Sequence, residues 1–153
     1  MDDTDRKIIA VLQEDAHTTQ ASIARQVGLS QPSVADRIRK LEESGVITGY
    51  LARIDHRKLG LDVTAFIGIH IEHPRYFDKF AGAVTEMEEV LECHRVAGEE
   101  SYLLKVRTES TASLDHLLVK RLRTIPGVTR THTTIVLASV KEELRAPRIG
   151  GER

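Results

Sequence analysis

The chain has 153 residues, a formal net charge of −1, 41% apolar and 29% charged residues, and one cysteine. This is enough apolar material to pack one domain or two small ones, and too even a charge balance for whole-molecule attraction to a polyanion. A lone Cys93 excludes a disulfide framework or thiolate cluster, the apolar runs are too short to span a bilayer, and the acidic start MDDTDRK lacks a secretory apolar block, so a cytoplasmic protein is expected.

The first 45 residues read as three helices. In DDTDRKIIAVLQED, Ile8, Ile9 and Leu12 recur at helical spacing, and Asp2, Asp3 and Asp5 lie at the N-terminal end, where negative charge complements the helix dipole. A second helix starts after Thr19, carries Ile23, Ala24 and Val27 inward, and stops at Gly28, a residue suited to the left-handed cap. Ser30 then caps a third helix whose first turn holds Pro32, where a missing N–H costs nothing. Helix, short glycine-containing turn, helix is the helix-turn-helix spacing.

Past Gly45, GVITGYLARID alternates loosely and is expected to be extended, and HRKLGLD reads as a connector. The remainder follows a β-α-β-β-α-β order. Strands are expected at Val63–Ile71, Val90–Ala97, Tyr102–Thr108 and Val128–Val140, with helices at Tyr76–Met87 and Ser113–Ile125. Two such halves make a ferredoxin-like sandwich with helices on one face of the sheet. The other face is expected to be apolar and to pair with a second copy, giving a homodimer. The tail KEELRAPRIGGER is polar and expected to fray.

Projected at the helical period, Val34, Ile38 and Leu41 of the third helix line one side. Ser33, Asp36, Arg39, Lys40 and Glu43 lie opposite, with Arg37 on the shoulder. Ser30, Gln31, Pro32 and Ser33 form the N-terminal turn, the end that a recognition helix pushes into the major groove. Gln31 and Arg37 can address adenine and guanine edges, while Arg39, Lys40 and Arg53 suit phosphates. Pattern alone leaves open a solvated face held by pairs such as Asp36 with Lys40. Asp36 is expected to pair with Lys40 or a neighbouring arginine and so to restrain affinity.

The run LSQPSVADRIRKLEESGVITGY resembles the helix-turn-helix segment of the Lrp/AsnC family, the feast/famine transcriptional regulators. DDTDRKIIAVLQED is similar to that family's opening helix, LGLDVTAFIGIHI to its first sandwich strand and IPGVTRTHTTIVL to its last, in the right order from Asp2 to about Val140. The resemblance implies an α+β chain. A winged-type helix-turn-helix domain (1–50) and an extended linker (51–61) precede a ferredoxin-like ligand-binding and oligomerisation domain (62–140) and a tail (141–153). It further implies double-stranded DNA and a small-molecule effector, usually an amino acid, as partners, and a homodimer assembling further, to an octamer in the family's usual form.

VAGEESYLLKV corresponds to the family's glycine-acid loop. Gly98 is expected to take positive φ and expose N–H groups, with Glu99 and Glu100 meeting an ammonium group. Where the family commonly has an aspartate before the tyrosine, this chain has Ser101 before Tyr102, which leaves the ligand's identity open. Thr131, His132 and Thr133 offer hydroxyls and an imidazole on the last strand. The alternatives for both segments are a polar hairpin turn and plain strand surface. HIEH places His70 and Glu72 on one strand face but supplies no coordination set, so no metal or other cofactor is expected. No phosphate loop, GxSxG or dinucleotide fingerprint is present, so the chain is not expected to be an enzyme. Two competing readings are a tetrapyrrole (siroheme-type) decarboxylase of the same two-part layout, and a ligand-binding module with a vestigial DNA head.

Overall fold

A computed structural model describes residues 1–143, which divide into two compact units, Met1–Arg53 together with 142–143, and Ile54–Lys141. In the first unit α1 spans Asp3–Glu14, α2 Gln20–Val27 and α3 Gln31–Glu43. Each start is a side-chain cap worth about 1 kcal/mol. Asp2 and Asp5 make a reciprocal capping box, each carboxylate accepting the other's backbone N–H at 2.8 Å. Thr19 Oγ1 accepts from Ser22 N, and Ser30 Oγ from Ser33 N. Gly28, at φ +72°, ends α2 in the left-handed region that a side chain would resist. Ile8, Ile23, Ala24, Val34 and Ile38 close a small core, with Val11, Leu12, Val27 and Leu29 around it.

The extended strand expected after Gly45 is not realised as part of any ladder among the described residues. Val46 and Ile47 both donate to the Leu41 carbonyl, closing α3, and Thr48–Asp55 has no regular structure. A strand needs a neighbour for its N–H and C=O groups. Among the described residues this segment has none, and Leu51 is 83% exposed.

In the second unit Asp55 caps a single 3-10 turn, His56–Leu59. Then come β1 (Val63–Ile71), a 3-10 turn at Pro74–Tyr76, α4 (Phe77–Thr85), β2 (Val90–Arg95), β3 (Tyr102–Thr108), α5 (Thr111–His116) and β4 (Val128–Ile135). The four strands are antiparallel in the order β2-β3-β1-β4, the ferredoxin-like arrangement. α5 widens into a π-helical turn over Leu117–Leu122, where Arg123 N donates five residues back to the Leu118 carbonyl. β4 ends at Ile135 rather than Val140, and Ile135, opposite Ala65, is its last residue in the register with β1. The frayed tail expected beyond Lys141 lies outside the described residues from position 144 on.

Alternation along the strands decides the faces. Ala65, Ile67, Ile69 and Ile71 of β1 and Tyr102, Leu104 and Val106 of β3 point to the helices and bury with Phe80, Val84, Leu114, Leu117, Leu122 and Ile125. The opposite face is not the apolar surface expected. Cross-strand partners share a face, so it carries Phe66 beside Lys105 and Thr134, Gly68 beside Leu103 and His132, and His70 beside Arg130. The apolar set of the strands is consumed by the helices, which leaves Phe66 and Leu103 as apolar points in a polar field.

Candidate functional site

The two caps and the αL glycine hold α2 and α3 three residues apart, Gly28–Ser30, so the N-terminal turn of α3 stands proud of the unit. Ser30, Gln31, Pro32 and Ser33 are all exposed there. The turn is uncharged, and the Ser30 and Ser33 hydroxyls are also hydrogen-bonded to each other at 2.8 Å. Inward, Val34, Ile38 and Leu41 are buried, as their spacing requires.

The cations of α3 are all engaged by carboxylates of the same unit. Asp36 accepts from Arg39 Nη2 at 2.5 Å and pairs with Lys40 Nζ at 2.7 Å, so the expected Asp36–Lys40 pair is present and shared with an arginine. Those bonds, Lys40's first, hold the Asp36 carboxyl below the usual aspartate range. Arg39 Nη1 also donates to Glu43 Oε1 at 2.7 Å. Arg37 is turned the other way. Its Nη1 donates to Asp2 Oδ2 at 2.8 Å and to Asp5 Oδ1 at 2.6 Å, at the start of α1. Projection put Arg37 on the shoulder of the exposed face; only the fold could show that the shoulder abuts the capping box. Tyr50 donates to Glu42 Oε1 at 2.9 Å, and Arg53 lies exposed at the end of the unit.

In the second unit the loop joining β2 to β3 folds over the open face of the sheet. Glu100 lies across Gly68 of β1: a Cβ built at Gly68 would stand 2.8 Å from Glu100 Cγ. Glu100 Oε1 is 3.7 Å from Arg130 Nη2 on β4. Glu100 Oε2 is buried and has no hydrogen-bond partner, an omission that costs about 1–3 kcal/mol when nothing fills it. Ser101 is already employed. Its N–H donates to the Ile69 carbonyl and its Oγ accepts from Ile71 N at 3.0 Å, beside the register shift between His70 and Ile71.

Several residues expected to share this site do not. Gly98 is not among the glycines with positive φ and nothing approaches the place of its Cβ, so the turn does not depend on it in the way proposed. Glu99 is exposed. Tyr102 alternates to the helix side, where it is buried against Phe77 and Phe80, with ring centroids 5.6 and 4.8 Å away. Thr131 and Thr133 pair with Ile69 and Ile67 and so also face the helices; of the three β4 residues only His132, opposite Gly68, shares the face of Glu100. Gly68 and Arg130 were missed. Gly68 carries a signal in the sequence: it is a bare position on the strand face opposite the isoleucines. Arg130 carries none, because its place beside Glu100 depends on strand register. Among the described residues no three His, Cys, Asp or Glu side chains gather as a metal set. His70 Nδ1 instead meets Thr129 Oγ1 at 2.9 Å.

Residues 1–48 match the family model described as winged helix-turn-helix DNA-binding, and residues 64–146 that of the Lrp/AsnC ligand binding domain. The chain is 35% identical over 147 residues to the leucine-responsive regulatory protein of Salmonella typhimurium, covering 95% of this chain and 90% of that one. Its structure is similar to that of a transcriptional regulator from Neisseria meningitidis in complex with L-Met, with a TM-score of 0.92, 30% identity and 96% of each chain covered. It is also similar to a feast or famine regulatory protein from M. tuberculosis complexed with L-methionine, with a TM-score of 0.88, 39% identity, and 95% and 97% covered.

Proposed function

The chain belongs to the Lrp/AsnC family of transcriptional regulators, and from that premise we propose that it reads its operator with α3 and is tuned by an amino acid held beneath the β2–β3 loop. Residues 1–50 form the reading head, 51–61 the linker, and 62–140 the ligand-binding and pairing domain. On the head, Gln31 and Ser33 meet base edges, while Ser30 and Pro32 set the approach of the turn. Arg39, Lys40 and Arg53 meet phosphates once Asp36 gives up its pairs. Two heads of a dimer contact half-sites about one DNA turn apart or a multiple of it.

The observation that carries the ligand half is the buried, unpartnered Glu100 Oε2 with Arg130 at 3.7 Å from its sister oxygen. An acid with an open acceptor beside a guanidinium matches the two ends of a zwitterion. An α-ammonium satisfies Glu100 and an α-carboxylate takes Arg130, with His132 on the same face. Ligands that bind one assembly state better than another shift assembly toward it. The sheet's open face pairs two copies through Phe66 and Leu103, and dimers assemble further, to an octamer as in the family's usual form. The protein acts in the cytoplasm. We assign it no catalytic role: both matching family models describe binding domains, which disfavours a tetrapyrrole decarboxylase.

The experiment is a gel shift on the DNA preceding the protein's own gene, with each of the twenty amino acids in turn, on wild type and Glu100→Gln. Wild type should shift the fragment and respond to at least one amino acid, whereas Glu100→Gln should shift it without response. No shift under any condition defeats the DNA reading. A response retained in Glu100→Gln removes that carboxylate from the ligand site.

A further inference from the structure

The position of Arg37 does not fit a DNA-reading residue. Its Nη1 bridges two carboxylates, Asp2 Oδ2 at 2.8 Å and Asp5 Oδ1 at 2.6 Å, across 35 and 32 residues of sequence. Each carboxylate uses its other oxygen for the capping box, Asp2 Oδ1 on Asp5 N and Asp5 Oδ2 on Asp2 N. One guanidinium thus completes the N-terminal cap of α1 and fastens it to the middle of α3. Arg37 is 32% exposed and Asp5 only 14%, so the Arg37–Asp5 bond is better shielded than the Asp36 pairs, whose members are 46–66% exposed, while Asp2 at 54% is as open as they are. Moving Arg37 to a phosphate would leave two like charges side by side at the helix start, next to a third on the DNA.

We propose that Arg37 is a positioning residue for DNA binding: through Asp2 and Asp5 it sets the angle at which α3 leaves the head. It makes no contact with the duplex. The contact is built to hold orientation because its ends lie on different helices, with Val34 and Ile38 of α3 packed in the same core as Ile8 of α1 just behind it. The inference rests on the reading of α3 as the recognition helix, and one set of full-length variants separates the two.

The variants are Arg37→Ala, Arg37→Lys, the double Asp2→Asn/Asp5→Asn, and Lys40→Ala as a phosphate-contact reference. Asparagine keeps each cap through its one oxygen but loses the charge and the second oxygen, the one that accepts from Arg37. Binding to a random-sequence 30-base-pair duplex and to the fragment preceding the gene is measured across a potassium chloride series. The temperature is one at which circular dichroism matches wild type, so that lost stability alone cannot lower affinity. Arg37→Ala and the double variant should each lose roughly tenfold in affinity, equivalent to about 1.4 kcal/mol. Both should keep the wild-type slope of log K against log salt, while Lys40→Ala should flatten it by about 0.9 per lost phosphate contact. Arg37→Lys should recover most of the loss. Three results overturn the proposal: tighter binding by the double variant, a flattened slope in Arg37→Ala, or no loss in either. If wild type binds neither duplex, the recognition-helix reading fails. Amide exchange over α1 and α3 then tests the clasp by itself, with unchanged protection in both variants counting against it.

Discussion

One carboxylate on α3, Asp36, holds two cations, and in the function proposed above the exchange this allows sets how the head treats DNA. Exposed pairs of this kind are weak and screened by salt, so a phosphate can compete for Arg39 and Lys40. Each transfer must first break a bond, which lowers the gain from any duplex irrespective of sequence. Asp36→Asn should therefore tighten binding to a random-sequence duplex several-fold at a given salt concentration. Titration in potassium chloride checks this; an unchanged affinity would show that the Asp36 pairs do not hold the two cations back. The same scale explains Ser101. A hydroxyl stands where an aspartate is common, yet its Oγ pins Ile71 N, and the acid that lies over the open sheet face is Glu100.

At the scale of elements, punctuation decides more than periodicity. Gly127, at φ +88°, turns the chain into β4, and a Cβ there would stand 2.4 Å from Tyr76 Cγ. Gly127→Ala should cost about 2–4 kcal/mol, from the left-handed strain and the clash with the ring. Chemical denaturation measures it, and a loss below half a kcal/mol would mean that Tyr76 moves aside freely. Much of this level could be read directly from the chain. Thr19, Gly28, Ser30 and Pro32 mark their helix ends because capping is local chemistry, and β1 is found residue for residue because one face alternates cleanly. Whatever depends on a neighbour was hidden. The strand expected after Gly45 has no ladder partner among the described residues, and Thr131 and Thr133 take their face from register with β1. The widened turn Leu117–Leu122 carries an ordinary helical sequence. Arg37 shows the same limit in the head, since its period fixes a shoulder but not what the shoulder touches.

At the scale of the whole molecule, the polar sheet face constrains how copies can pair. Phe66 and Leu103 lie there among Lys105, Arg130 and His132, so a sheet-to-sheet contact would be specified by charge as much as by burial. With copies paired through this face as proposed above, Phe66→Asp should give a monomer in light scattering while leaving circular dichroism unchanged; a dimer in the variant would mean that another surface joins the copies. The two cores described above have no side chain in common, one drawing on α1–α3 alone and the other on the sheet and its helices. Their separation bears on descent as well as on folding. In the function proposed above, a substitution that re-aims α3 toward a new operator is answered by packing within its own core, and one that reshapes the bed beneath Glu100 by packing within the other. On that reading a lineage can change the signal while keeping the genes, or change the genes while keeping the signal.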